Sequence, residues 1–291
     1  VSLGLPEVLR ELEGMMSLVT ICDVCGGETW DVVVANVMGR GVDLRRCRAC
    51  GFKTYDRVLV DAADFYTAPP YDDYARRSFI FRSSVIDRQR DDLVAENEAG
   101  ARGAYRDLLD HIEAAVQARP IRLYEVGCGW GRLLDVARER DDRYEARGCD
   151  LSPAEAANGR SLGLDVEAGD FYSLPIVGHF DAVVVLDVLE HVWRPRALVE
   201  RAVSLLAPGG GVLVKTFYDE WHATLPNLDL SEGAETTLRM GKTTGYYGPV
   251  AHPSHFDAPV LRDLFRRVGL EIVWEHMEPI WGQIALLGRR A

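Results

Sequence analysis

Lysine is almost missing from this sequence. Lys53, Lys215 and Lys242 are the only three, and arginine carries the rest of the positive charge. We read that bias as compositional, with no function attached. Basic charge is short overall, with 33 Lys and Arg against 45 Asp and Glu, for a formal net charge of −12. A sequence-independent nucleic-acid binder needs a basic footprint, so this balance points away from one without excluding a local patch. Long hydrophobic runs are missing too. No stretch reaches the roughly 18 apolar residues that a transmembrane helix requires. The segment Leu5–Glu13 carries acids where a secretory leader needs a basic and then an apolar run. Its Leu5, Leu9, Leu12 and Met16 spacing suggests a short amphipathic helix instead. A cytoplasmic protein with no membrane partner is the expectation.

What is present starts with six cysteines in two groups. Cys22, Cys25, Cys47 and Cys50 form two CxxC pairs, whereas Cys128 and Cys149 stand alone beside glycines. Paired CxxC knuckles in a reducing compartment favour metal over disulfides. Four thiolates at this spacing can surround zinc tetrahedrally and leave no position open for water, so a structural Zn2+ is expected. Cys128 reads as a small buried filler, because nothing beside it supplies a base.

The 291 residues suit one large domain and a small accessory one. Residues 1–60 hold the amphipathic helix and the cysteine knuckles, and 61–119 form a helical connector or cap. From residue 120 onward, strand and helix patterns alternate. Strands are predicted over 121–127, 144–149, 164–168, 181–186, 211–217, 270–276 and 283–288. Helices are predicted near 130–140, 153–162, 195–206 and 257–268. This is an α/β pattern: a mainly parallel sheet of about seven strands with helices on both faces, of Rossmann-like type. The aperiodic insertion 218–256 reads as a lid over the substrate.

The run Leu123-Tyr124-Glu125-Val126-Gly127-Cys128-Gly129-Trp130-Gly131 describes a buried strand that stops at glycines and turns into a helix. Such a turn lets backbone N–H groups approach a cofactor, and taken alone it fits a dinucleotide or S-adenosylmethionine. Dinucleotide binding expects GxGxxG, and position 132 is arginine. Asp150 at the end of the second strand suits two ribose hydroxyls in either case. Three later segments decide: Gly169-Asp170-Phe171, the strand and exit Phe180–Val192 containing Asp187, Glu190 and His191, and the turn Leu206–Val214. In this order the set resembles the class I S-adenosylmethionine-dependent methyltransferases, strongly over 121–217 and more weakly beyond.

With the CxxC pairs, Tyr66 and Tyr71–Tyr74 ahead of the glycine loop, the chain is similar to a bacterial subgroup with an N-terminal zinc knuckle. That subgroup methylates sugars, glycans and secondary metabolites. Its sugar C-methyltransferases carry a further C-terminal domain with no counterpart after Gly288, which weighs against C-methylation of a nucleotide sugar. The resemblance implies a cofactor site made of Tyr74, Arg82, Glu125, Gly127, Cys128, Gly129, Asp150, Leu151, Asp170, Phe171 and Asp187. A hydroxyl acceptor needs a base, and histidine titrates near neutrality. The candidates are His255 first, then His252, then His191; the alternative for the first two is a helix-entry or packing role, and for His191 a structural cap. Tyr246 and Tyr247 are placed to stack on an acceptor from the insertion. The expected activity is methyl transfer to a small molecule, most of all a sugar or natural-product hydroxyl. N- or C-methylation, an RNA methyltransferase that grips a hairpin with the knuckle, and a non-catalytic scaffold stay open. Oligomeric state cannot be read from the sequence.

Overall fold

The computed structural model describes residues 17–37, 41–58, 91–218, 252–278 and 282–290. Its centre is a seven-stranded sheet. In chain order the strands are β4 (Ile121–Val126), β5 (Tyr144–Asp150), β6 (Asp165–Ala168), β7 (Phe180–Leu186), β8 (Leu206–Phe217), β10 (Leu270–Glu278) and β11 (Gln283–Arg290). The spatial order is β10-β11-β8-β7-β4-β5-β6. Strands β4 to β8 run parallel, and β11 inserts antiparallel between β8 and β10. From central β4 the chain winds outward through β5 and β6, then crosses back to β7 and β8. The carboxyl ends of β4 and β7 therefore flank a topological switch point, where open α/β sheets bind ligands.

Strand β7 shows why this sheet forms. Its seven residues, Phe-Asp-Ala-Val-Val-Val-Leu, are all buried, as a strand covered on both faces must be. With a side-chain period of two, Ala182, Val184 and Leu186 join one core while Val183 and Val185 join the other. The first core is closed by α1 (Asp91–Ala115), α2 (Arg132–Arg138) and α3 (Pro153–Ser161), through Leu109, Ile112, Leu133, Leu134 and Ala156. The second is closed by α4 (Pro195–Ser204) and α5 (Ala258–Arg267), through Leu198, Val199, Leu261, Leu264 and Phe265. Helix α1, expected as part of a connector, is thus a layer of the main sheet. Arg102 ties it to α2 at Asp135, 2.9 Å away.

Strand β8 begins at Leu206, five residues before the expected 211, and takes in Pro208-Gly209-Gly210. Gly209 adopts φ +75°, and the pairing with β7 shifts register between Phe180 and Ala182, so the run that reads as a turn is an irregular strand.

A second, antiparallel sheet has the order β1-β2-β3-β9, from β1 (Trp30–Val34), β2 (Leu44–Cys47), β3 (Lys53–Tyr55) and β9 (Ser254–His255). Its last strand comes from the end of the segment expected as a lid. Lys53 pairs with His255 and Thr54 with Ser254. Side chains reinforce this junction: Thr54 Oγ1 donates to the Pro253 carbonyl at 2.8 Å, and Lys53 Nζ lies 3.1 Å from Asp257 Oδ1. Phe52 packs on Phe256 with ring centroids 5.4 Å apart. Residues 252–256 are therefore fixed structure, while 219–251 lie outside the described residues. Among the described residues, no helix is long and apolar enough to cross a membrane.

Candidate active site

After Val126 the chain enters a glycine turn with φ of +66° at Gly127, +55° at Gly129 and +93° at Gly131. At Gly127 a Cβ would sit 2.4 Å from Val188 Cγ2, so both backbone shape and space demand glycine. Nothing lies within 4 Å of a Cβ placed on Gly129. The turn is tied to β5: Cys128 N donates to the Cys149 carbonyl at 3.0 Å, and Gly129 N to Asp150 Oδ2 at 2.7 Å. The other Asp150 oxygen accepts from Ser152 N at 2.8 Å, where Ser152 caps α3. Against this turn lies a cavity of about 680 Å³, and Gly127, Asp150, Leu151, Asp170 and Phe171 are among its lining residues. Glu125 is buried just behind, and its Oε2 has no hydrogen-bond partner among the described residues. Cys128 is buried as a filler that a Cβ on Gly148 would strike. Tyr74, Arg82, Tyr246 and Tyr247 lie outside the described residues.

Negative charge is concentrated here. Burial, then Asp150 and Asp187, push the Glu125 carboxyl well above its ordinary range. Burial also raises Asp150, although the N–H groups of Ser152 and Gly129 work the other way. Asp187 holds a left-handed φ of +54°, unusual for a non-glycine residue and typical of functional turns. It pairs with Lys215 at 2.8 Å and accepts from Gln283 Nε2 at 3.1 Å. Burial disfavours the Lys215 ammonium, but Asp187 more than compensates and its pKa rises.

The turn Leu189–His191 follows β7 and carries the second half of the site. The rings of His191 and His252 meet edge to face, 4.6 Å between centroids, and Phe217 packs on His252 at 5.8 Å. Glu190 lies beneath them at 1% exposure. Its Oε2 accepts from Thr216 Oγ1 at 2.7 Å, while Oε1 has no hydrogen-bond partner among the described residues. Burial, then Asp187, push Glu190 up to about 8. Potential ligand atoms of Glu190, His191 and His252 lie within 4.8 Å of one another. His255, first among the sequence candidates, is not brought to this group. It is 1% exposed in β9, edge-on to Tyr55 at 5.7 Å, and none of His191, His252 and His255 is among the residues that line the cavity.

The methyltransferase-domain family profile matches residues 98–275, more than half of the chain. The chain belongs to that family. Its sheet is the class I S-adenosylmethionine-dependent methyltransferase fold, and its chemistry is methyl transfer. Among curated proteins it is similar to a ubiquinone biosynthesis O-methyltransferase of Xylella fastidiosa, 29% identical over 60% of this chain and 68% of that one. A Xanthomonas campestris protein of the same description is 32% identical over 52% of this chain and 64% of that one. The chain thus spans about two thirds of the length of these relatives. Among solved structures, magnesium protoporphyrin IX methyltransferase from Synechocystis PCC 6803 with bound SAH aligns at TM-score 0.54 and 17% identity. That alignment covers 79% of this chain and 98% of the other. A SAM-bound amino pentose methyltransferase from Micromonospora echinaspora aligns at 0.50 and 20%, over 68% and 95%. At such identities the likeness speaks to fold.

This methyltransferase also gathers its four knuckle cysteines. Cys22 and Cys50 Sγ are 3.6 Å apart, Cys25 and Cys47 Sγ 3.5 Å, and none is in a disulfide. A tetrahedral zinc with Zn–S near 2.3 Å needs sulfurs about 3.8 Å apart, so the donor set fits that ion closely. The contact with the Cys22 sulfur holds Cys50 down to about 6. The knuckles dock on the main domain, with Arg196 N at the start of α4 donating to Asp23 at 2.6 Å. Val19, Ile21 and Asp23 line the same cavity as the glycine turn. Glu190, buried beside His191 in Asp-Val-Leu-Glu-His, is not among the site residues that the sequence singles out.

Proposed function

We propose that this methyltransferase moves the methyl group of S-adenosylmethionine onto a hydroxyl of a small acceptor, a sugar or natural product, at the Glu190–His191–His252 group. One observation carries the reading: Val188 and Val192, which line the cavity, bracket Glu190 and His191 in the chain. Acceptor chemistry and cofactor cavity therefore share one turn. The residues present suit the cofactor. The glycine turn offers close backbone approach, Glu125 has a buried oxygen in need of a donor, and Asp150 keeps lone pairs for two ribose hydroxyls.

In this reading Glu125, Gly127, Cys128 and Gly129 hold the methionine end, with Tyr74 and Arg82 closing over it. Asp150 and Leu151 take the ribose, Asp170 and Phe171 the adenine, and Asp187 faces the sulfonium. When bound, S-adenosylmethionine supplies a methyl group on an excellent leaving group. What falls to the protein is positioning the acceptor in line and removing its proton. An amine needs only to be neutral, whereas an alcohol must lose a proton, and paired imidazoles at the turn after β7 suit the alcohol. The 29% and 32% identical relatives, both ubiquinone biosynthesis O-methyltransferases, support O-methylation. The four-thiol cluster would hold a structural Zn2+ that locks the residue 1–60 module, with β9 lent to it by the 120–291 methyltransferase domain. The net charge of −12 favours a small acceptor over nucleic acid.

The test is transfer of labelled methyl from S-adenosylmethionine to hydroxyl, amine and carbon acceptors in parallel, with nucleotide sugars and aryl polyols among the hydroxyls. Transfer to hydroxyls is expected, falling by about 10²-fold or more in His252→Ala with cofactor affinity retained. Transfer to amines alone, or full hydroxyl transfer in His252→Ala, overturns the reading.

A further inference from the structure

We propose that Glu190, His191 and His252 form a divalent-cation site at the turn after β7, whose flanking residues Val188 and Val192 line the cavity, taking a first-row transition ion and distinct from the four-thiol cluster. It deepens the function proposed above and rests on the acceptor entering at this turn. Two imidazoles and one carboxylate are a donor set suited to such ions, and three protein ligands leave coordination positions for an acceptor oxygen.

The geometry makes the case in three steps. The ligand atoms already lie within 4.8 Å of one another. An ion with bonds of about 2.1 Å needs them about 3–4 Å apart, so the half-buried imidazoles have only a short rotation to make. Next, Glu190 Oε1 is buried and has no hydrogen-bond partner among the described residues, while Oε2 is held by Thr216. An orphaned carboxylate oxygen is costly unless a cation or donor faces it. Asp187 is not counted as a ligand, because Lys215 at 2.8 Å already pairs with it.

The third step is preorganisation across 60 residues of chain. The residues that follow His252 hold its backbone in place. The Pro253 carbonyl is held by Thr54, and Ser254 Oγ donates to the Val192 carbonyl at 2.6 Å. These bonds pin His252 between the small sheet and the turn that carries His191, the rigid support that a metal site needs. A pair of histidines that merely packed would not call for a buried, half-satisfied glutamate beneath it.

With the cation in place, the acceptor hydroxyl binds at an open position and its O–H proton leaves to water, since coordination lowers the pKa of a bound hydroxyl. The O–CH3 bond then forms as the S–CH3 bond breaks. The sulfonium keeps the bonding pair and becomes a thioether, and the cation does not change oxidation state.

Mn2+ is the probe, because it is a poor match for thiolates. The protein is first loaded with one zinc per chain, and free Mn2+ is then counted by electron paramagnetic resonance during titration. One bound Mn2+ per chain is expected, with affinity weakened by about 10-fold or more in Glu190→Gln and in His252→Gln. Calorimetry with S-adenosylmethionine serves as a check that each variant is folded. No saturable Mn2+ binding, or equal binding in both folded variants, overturns the site. The product assay separates the two readings. Hydroxyl methylation that survives chelation of everything but the zinc leaves O-methylation standing and removes the cation. Mn2+ binding without any hydroxyl methylation does the reverse.

Discussion

Gly127→Ala tests the packing of the cofactor turn most sharply, because two costs can be separated. The backbone sits at φ +66°, where a Cβ costs about 1–2 kcal/mol. The added methyl would also lie 2.4 Å from Val188 Cγ2, far inside van der Waals contact. Valine is β-branched and stiff at χ1, so the clash must be relieved by moving backbone, which costs about 1–3 kcal/mol more. The expected loss is therefore about 2–5 kcal/mol in urea unfolding. Gly129→Ala is the control. Its φ is +55° but nothing lies within 4 Å of the new methyl, so only about 1–2 kcal/mol should be lost. Its methyl instead enters open space at the turn, and on the proposed cofactor placement S-adenosylmethionine affinity should fall out of proportion to stability. Adding Val188→Ala to Gly127→Ala should recover most of the steric part, beyond the cost of Val188→Ala alone, and none of the backbone part. Equal stability losses for Gly127→Ala and Gly129→Ala, or no recovery in the double variant, would refute the reasoning.

Two further outcomes follow from the same structure. Glu190 titrates at about 8 when folded, against about 4.5 unfolded, so it favours folding below the unfolded value. As pH rises between these values the unfolded chain ionises first, and stability of the cation-free protein should fall by up to about 1.4 kcal/mol per pH unit. Glu190→Gln should flatten that slope in urea melts, and an unchanged slope would show that another group is responsible. Stripping metal from the four-thiol cluster should lower Tm by about 10 °C or more, given about 2–4 °C per kcal/mol at this size. Cofactor affinity should weaken with it, because Val19 and Ile21 line the cavity. Calorimetry on chelated protein with unchanged affinity would contradict that coupling.

The main sheet was legible because its signals are local. β7 is seven buried residues in a row, and α3 announces itself with Ser152 as cap and Pro153 at its first turn. The glycine turn is local in the same way, with Gly127 and Asp150 at the ends of β4 and β5. Long-range pairing left no such mark. Nothing in Lys53-Thr54 or Ser254-His255 says that 200 intervening residues return to form one sheet, so His255 reads as a cleft histidine when it is a packed strand residue. The meeting of His191 with His252 depends on that same closure. Glu190 stayed hidden for another reason: an acid beside a histidine is common, and only its burial with an orphaned oxygen sets this one apart.

The central claim is that the cavity between the glycine turn and Asp150 holds S-adenosylmethionine. Titration calorimetry on the wild type and Asp150→Ala, with the fold of each checked by circular dichroism, addresses it directly. The account predicts one cofactor per chain in the wild type. Affinity should fall by about 10²-fold in the variant, the worth of charge-assisted hydrogen bonds to two hydroxyls. No binding by folded wild-type protein, or undiminished binding by Asp150→Ala, would contradict it.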